Sequence, residues 1–353
     1  MRLKQIDGLR FWASMVIVAD HCRVLGLRLQ GGAMVSLFFV LSGFFVTKPL
    51  KRDGEDRFLS WKGWAEFYVT RIVRIIPLYW GSLFLFDWLF VNAFTRERIF
   101  KNMFFLEGWG HLWFLTHEVL CYLLAPALMA AVAFLKKRLG LSNGRIGAGL
   151  FVFSILLHVY FYEVTSFRVL MQPFRFDLFV MGASFGYLYK SGALRAVRGR
   201  GGRLAADLAS LLLILLAHVS GYEVLSRFFP ALEGYAVGWE RPWLCGFLGG
   251  VLVLLLASNP EGLVSRVFSL PWLVRLGKAS YGIYILHYYY FIMDPQPFVS
   301  PMRNFAANVL CSCCVALVFF EWVEEPLSRQ AKKLLSRAFP QREGSRPGKG
   351  RGD

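Results

Sequence analysis

The chain has 353 residues, is 56% hydrophobic and 17% aromatic, and carries only 18% charged residues with a formal net charge of +17. The aromatic and aliphatic bulk excludes a disordered chain, and the shortage of charge excludes a basic soluble nucleic-acid binder. Long apolar spans joined by basic loops satisfy both numbers.

The composition therefore predicts an all-α polytopic membrane protein of about ten transmembrane helices. The apolar runs place these spans at residues 9–29, 33–50, 75–95, 111–135, 146–165, 167–189, 204–222, 241–258, 273–293 and 303–323. Lipid offers no partner to open backbone groups, and these runs are too long for barrel strands, so each is a helix. The first run has no small-residue cleavage site after it and reads as a retained span rather than a signal peptide. The six cysteines lie in apolar runs without metal-like or paired spacing, so neither a disulfide framework nor a metal site is expected. No internal repeat is visible, which gives no support to an inverted-repeat transporter.

Orientation follows from Lys and Arg. With both termini in the cytoplasm, 30 of the 40 basic residues fall inside and 9 outside, while Arg175 lies within a span. The chain divides into a transmembrane domain over 1–328 and a basic tail over 329–353. The tail is expected to be disordered and to touch anionic lipid.

Ionisable residues inside a bilayer are costly and mark function. The first span holds Asp20 and His21, with Arg10 at its cytoplasmic mouth. Arg10 and His21 are 11 residues apart, about 20° past three full turns, so they share a helix face about 16 Å apart along the axis. That face suits a long ligand with an anionic end at the inner surface and a reactive end deep inside. In the fourth span Glu118 lies seven residues below His111, at the depth expected for His21. The sixth span carries Arg175 and Asp177, which are two residues apart and need partners on other helices. Arg71 and Arg74 share one face of the basic segment 62–77, and paired guanidiniums suit phosphate oxygens. Packing ion pairs and positive-inside anchoring are the plainer readings of these charges.

Taken in order, the motifs resemble the acyltransferase-3 family of integral-membrane acyltransferases, which includes bacterial cell-surface O-acetylases. They are Ile6-Asp7-Gly8-Leu9-Arg10 with His21; Val35 to Gly43; Phe67-Tyr68 through Arg71, Arg74, Ile75 and Pro77; His111-Leu112-Trp113 through Glu118, Tyr122 and Pro126; Arg175 through Gly182; Ser280-Tyr281 through His287; and Glu324-Glu325-Pro326. Two positions depart from the family pattern: Ser36 stands where Asp is usual, and Leu120 where Gln is frequent.

The resemblance implies transfer of an acyl group, commonly acetyl, from cytoplasmic acyl-CoA to a hydroxyl of a glycan or glycolipid on the other side of a bacterial inner membrane. It implies no permanently bound cofactor, acyl-CoA as co-substrate, and no nucleic-acid partner. The hydrolase-like domain that many relatives carry is expected to be absent, since fewer than 35 residues follow Glu321. Arg10, Arg71 and Arg74 would hold the CoA phosphates, and His21 would take the acceptor proton. Glu118, or else Asp20, would be the partner of His21, and Arg175 would stabilise an oxyanion or pair with Glu118. His111, Trp113 and His287 are the acceptor-side candidates. Direct transfer is the expected route, with an acyl-histidine relay as the alternative. A small-molecule transporter, or an acyltransferase acting on a non-glycan natural product, is the competing reading.

Overall fold

The computed structural model describes residues 3–24, 29–47, 54–89, 95–169, 172–194, 197, 199–219, 221–228, 231, 241–293 and 300–339. Among these residues fifteen helices follow one another: α1 (Lys4–His21), α2 (Gly31–Val46), α3 (Trp61–Leu89), α4 (Arg96–Met103), α5 (Trp113–Leu139), α6 (Asn143–Val159), α7 (Phe176–Ser191), α8 (Arg200–Val219), α9 (Tyr222–Phe228), α10 (Pro242–Ser258), α11 (Leu263–Phe268), α12 (Pro271–Lys278), α13 (Ser280–Met293), α14 (Pro301–Phe319) and α15 (Glu325–Ala338). Each of the ten expected spans overlaps one of the longer helices: α1, α2, α3, α5, α6, α7, α8, α10, α13 and α14. Five helical stretches, Trp61–Trp88, Gly110–Leu139, Asn143–Val164, Arg200–Val219 and Pro301–Ala338, are long and apolar enough to cross a membrane, and α2 and α10 are shorter apolar helices.

The outer surface explains the hydrophobic excess. Leu204, Leu208, Leu211, Leu212 and Leu215 of α8 are exposed, as are Val152, Phe153 and Leu156 of α6 and Leu310, Val315 and Val318 of α14. Rows of exposed aliphatic side chains on water would drive aggregation; against acyl chains they are matched. Helix α2 lies inside, touching α1, α5, α7 and α10, and thirteen of its sixteen residues are buried.

Two motif glycines have a packing cause. A Cβ on Gly43 of α2 would fall 1.8 Å from the Phe179 carbonyl oxygen of α7, and one on Gly182 of α7 would fall 2.0 Å from that of Val40. The two backbones therefore touch, which only small residues permit and which membrane helices use in place of a hydrophobic driving force.

Four expected boundaries change. Helix α1 ends at His21 instead of running to 29, and Arg23 takes a left-handed φ of 48°; residues 25–28 lie outside the described set. Helix α3 is one helix from Trp61, so the basic segment 62–77 and the third span are continuous. The sixth span does not begin as a helix at 167. Arg168–Val169 pairs antiparallel with Gln172–Pro173, and α7 starts at Phe176; Pro173 has no N–H to donate and disfavours helix at Gln172. Residues 329–338, expected in a disordered tail, continue the helix α15; residues 340–353 lie outside the described set.

Candidate active site

Helices α1, α2, α3, α5 and α13 converge on a cavity of about 400 Å³. Its charged lining is Arg10, Arg71 and Arg74 against Asp7 and Glu118, with Ser42, Tyr122, Ser280, Tyr281 and Tyr284 completing the polar wall. The i, i+3 spacing turns Arg71 and Arg74 to one side of α3. Arg71 lies over the rings of Phe67 and Tyr122, at 5.1 and 4.8 Å from their centroids, which orients the guanidinium without consuming its donors. Arg74 Nε stands 3.7 Å from Glu324 Oε1. The Nε atoms of Arg10 and Arg71 are buried with no hydrogen-bond partner among the described residues. Buried donors of this kind carry a desolvation cost that an anion in the cavity would offset.

Glu118 belongs to this cavity and is not the partner of His21. Its Oε1 accepts hydrogen bonds from Ser42 at 2.6 Å and from Tyr122 at 2.9 Å. The count along the spans matched it to His21, but His111, seven residues earlier in the chain, lies at the His287 level, and Glu118 lines the cavity with the arginines.

His21 ends α1 on the opposite side of the bundle's middle, among other histidines. Its ring is 5.3 Å from that of His287 and 5.6 Å from that of Tyr288, and His111 lies 5.3 Å from His287 and 4.6 Å from Tyr288. His287 donates from Nδ1 to the Tyr284 carbonyl at 2.6 Å, and His111 donates from Nε2 to the Ile285 carbonyl at 2.9 Å. Arg10 and His21 both face α13: Arg10 lines the cavity with Ser280 and Tyr281, and His21 lies against His287.

One side chain separates the two regions. Tyr284 lines the arginine cavity, and its ring also lies 5.5 Å from His111 and 5.6 Å from His287. Its hydroxyl donates to the His111 carbonyl at 2.9 Å, and Phe114 packs against it at 5.1 Å. Tyr284 thus touches both the arginine cavity and the histidine cluster.

The remaining site candidates fall elsewhere. A Cβ on Gly31 would lie 2.8 Å from Asp20 Oδ2, so Asp20 abuts the first turn of α2, where the helix dipole favours a carboxylate. It diverges from His21 by the 100° that separates neighbours on a helix. Arg175 precedes α7, hydrogen-bonds the Tyr162 hydroxyl and lies over that ring at 5.5 Å. Asp177 is 0% exposed and accepts from His158 Nδ1 at 2.9 Å. Trp113 packs on His117 and Phe39. His158, Ser42 and Tyr284 were not singled out by the sequence reading; a histidine near the outer end of the fifth span was the one signal for His158.

Outside the spans, Glu55 ties two helix ends together. It accepts from Lys136 of α5 and Lys190 of α7, each at 2.8 Å. Burial alone would raise its carboxyl, but these two ammonium hydrogen bonds outweigh that and hold it below the usual carboxylate range.

Comparison with known proteins completes the picture. A family model described as an acyltransferase domain matches residues 3–323. The chain is 21% identical to the O-acetyltransferase OatA of Staphylococcus aureus, with 95% of this chain and 58% of that protein covered. It is 25% identical to the peptidoglycan O-acetyltransferase OatA of Listeria monocytogenes, with 92% and 55% covered. It is 24% identical to the putative peptidoglycan O-acetyltransferase YrhL of Bacillus subtilis, with 94% and 56% covered. The chain thus spans a little over half the length of each of these relatives. No solved structure matches it.

Proposed function

The chain belongs to the acyltransferase family, and from that premise we propose that it is a membrane-bound O-acyltransferase. It moves an acyl group, acetyl in the simplest case, from cytoplasmic acyl-CoA to a hydroxyl of an extracytoplasmic glycan in a bacterial inner membrane. Peptidoglycan, named for two of the relatives, is the acceptor assigned here.

The observation that carries this reading is the alignment of two unlike regions along α1 and α13. One is an arginine-lined cavity with buried unpartnered guanidinium nitrogens. The other is a histidine cluster around His21, one tyrosine further on. Arg10, Arg71 and Arg74 hold the phosphates of the donor, which exists only on the basic, cytoplasmic side. Glu118 and Asp7 limit the excess positive charge when the cavity is empty. The thin pantetheine arm passes Tyr284 and brings the thioester carbonyl to the cluster.

There His21 takes the proton of the acceptor hydroxyl. The oxygen attacks the thioester carbonyl, the C–O bond forms, and the C–S bond breaks. The leaving thiolate recovers the proton from the His21 imidazolium, so ester and free CoA thiol are the products and no proton is left over. His111 and Tyr288 flank the place the acceptor hydroxyl must occupy.

The test is thiol release from acetyl-CoA by purified protein, with and without peptidoglycan strand fragments. His21→Ala should abolish release and acetyl transfer while membrane insertion and thermal unfolding stay normal. Near-wild-type turnover in that variant removes His21 from the chemistry.

A further inference from the structure

Arg57 stands beside the donor cavity with no task assigned to it. It belongs to a short helical turn, Asp56–Leu59, that precedes α3 and packs on α3 and α5. Its Nε is buried with no hydrogen-bond partner among the described residues, as are those of Arg10 and Arg71. Glu55, two residues before it, is spent: Lys136 takes one oxygen and Lys190 the other, each at 2.8 Å. Burial, and then the charge of Arg71, lower the Arg57 guanidinium from its ordinary value, and Glu66 offsets them only in part. An anion at Arg57 would relieve both penalties.

The turn holds this guanidinium in a fixed place. Trp64 donates its indole N–H to the Phe58 carbonyl at 2.7 Å, and the Ser60 hydroxyl donates to the Arg57 carbonyl at 2.9 Å. The Arg57 guanidinium lies 4.4 Å from the centroid of the Phe58 ring, Phe58 packs on Phe67 at 5.8 Å, and Phe67 carries Arg71 at 5.1 Å. Two aromatic rings thus form one shelf for two cations, orienting both and leaving their N–H donors for a ligand. Phe67 precedes Arg71 by about one turn of α3, so the row Arg74, Arg71, Arg57 runs toward the start of that helix. The other end of α3 leads to the histidines: Phe86 packs on Trp109, and Trp109 on Tyr288. Arg57 is therefore the arginine of the row farthest from the histidine cluster.

Acyl-CoA carries its charges in a fixed order. Behind the thioester and the pantetheine arm comes a diphosphate, and beyond it the ribose bears a phosphate monoester at its 3′ position. With the thioester at the histidines and the diphosphate at Arg10, Arg71 and Arg74, the monoester falls beyond Arg71. We infer that Arg57 binds the ribose 3′-phosphate of the donor, its planar fork of donors taking the terminal oxygens. The inference rests on the arginine cavity holding the donor phosphates. A lipid headgroup phosphate at the inner surface offers the same oxygens, and the test separates the two sources.

The test measures thiol release from acetyl-CoA and from 3′-dephospho-acetyl-CoA, which keeps the thioester and the diphosphate. Arg57 is partly exposed, so the low end of the range for a charged hydrogen bond applies, and wild type should show a KM about tenfold lower for acetyl-CoA than for the dephospho donor. Arg57→Ala should raise the KM for acetyl-CoA by about the same tenfold, leave that for the dephospho donor unchanged, and alter kcat with neither. Normal turnover of the dephospho donor also shows that the variant folds. Arg57→Lys keeps the charge without the fork, should fall between, and carries the same comparison if the alanine variant does not fold. An equal KM change with both donors, or none with either, overturns the assignment. The assays are run in nanodiscs of zwitterionic lipid with and without phosphatidylglycerol. The Arg57 effect should be the same in both; an effect that appears only with the anionic lipid, equally for both donors, assigns a headgroup phosphate instead and overturns the inference. Arg71→Ala run in parallel separates the inference from the reading beneath it. A phosphate-dependent loss at Arg71 with none at Arg57 removes only Arg57, whereas donor phosphates indifferent to Arg71 remove the cavity as their site.

Discussion

Replacing Arg71 by Ala is the most direct perturbation of the donor cavity. Arg71 is held by the faces of Phe67 and Tyr122, so its fork of donors is oriented yet uncommitted, whereas Arg74 is already partly neutralised by Glu324 at 3.7 Å. A hydrogen bond to a charged group contributes about 1.5–3 kcal/mol, and each 1.4 kcal/mol is about a factor of ten. Arg71→Ala should therefore raise the KM for acetyl-CoA roughly 10- to 150-fold, using the same range. Arg71→Lys keeps the charge but loses the fork and should fall between. Turnover at saturation should barely change, because the Tyr284 layer lies between Arg71 and the histidines. The assay is thiol release against donor concentration, run in parallel with acetyl-pantetheine, which carries the same thioester and none of the nucleotide phosphates. Its KM should be indifferent to Arg71. A change of less than threefold with acetyl-CoA, or an equal change with both donors, refutes phosphate binding at Arg71.

Two further outcomes test the scaffold. Gly43→Ala drives a methyl group to 1.8 Å from the Phe179 carbonyl oxygen; separating α2 from α7 should cost about 3 kcal/mol and appear as a fall in the thermal unfolding midpoint in detergent, and an unchanged midpoint contradicts the close crossing. Glu55→Gln removes the charge from the two lysine contacts at 2.8 Å and replaces one accepting oxygen with an NH2 donor, and should lower stability by about 1–2 kcal/mol. Because the folded carboxyl of Glu55 is held below its unfolded value, that stabilisation is complete above about pH 4.3 and is lost as the pH falls through the folded value. The gap between wild type and variant should accordingly close on acidification.

The fold was legible in the sequence because its signal is local. Each apolar run marks a helix whatever its neighbours, because backbone groups in lipid must be satisfied within the segment. Boundaries were less legible where a single residue redirected the backbone, as Pro173 does before α7 and Arg23 after α1. Within the site, Arg10, Arg71 and Arg74 were readable one by one, and the 11-residue spacing put Arg10 and His21 on one face. Glu118 shows where such reading ends. It was matched to His21 by counting residues from an expected span end, whereas the fold sets His111, seven residues earlier, beside His287 and gives Glu118 to Ser42 and Tyr122.

The sequence by itself determined the class of molecule and the faces shared by Arg10 with His21 and by Arg71 with Arg74, since each follows from composition and period along a single chain. The tertiary structure alone decided which residues meet. It set His287 and His111 around His21, Asp20 on the first turn of α2, His158 on Asp177, and Tyr284 between cavity and histidines. Those pairings depend on how helices far apart in the chain are turned toward one another, and that is fixed by backbone contacts such as Gly43 on Phe179 and Gly182 on Val40, which no single helix contains.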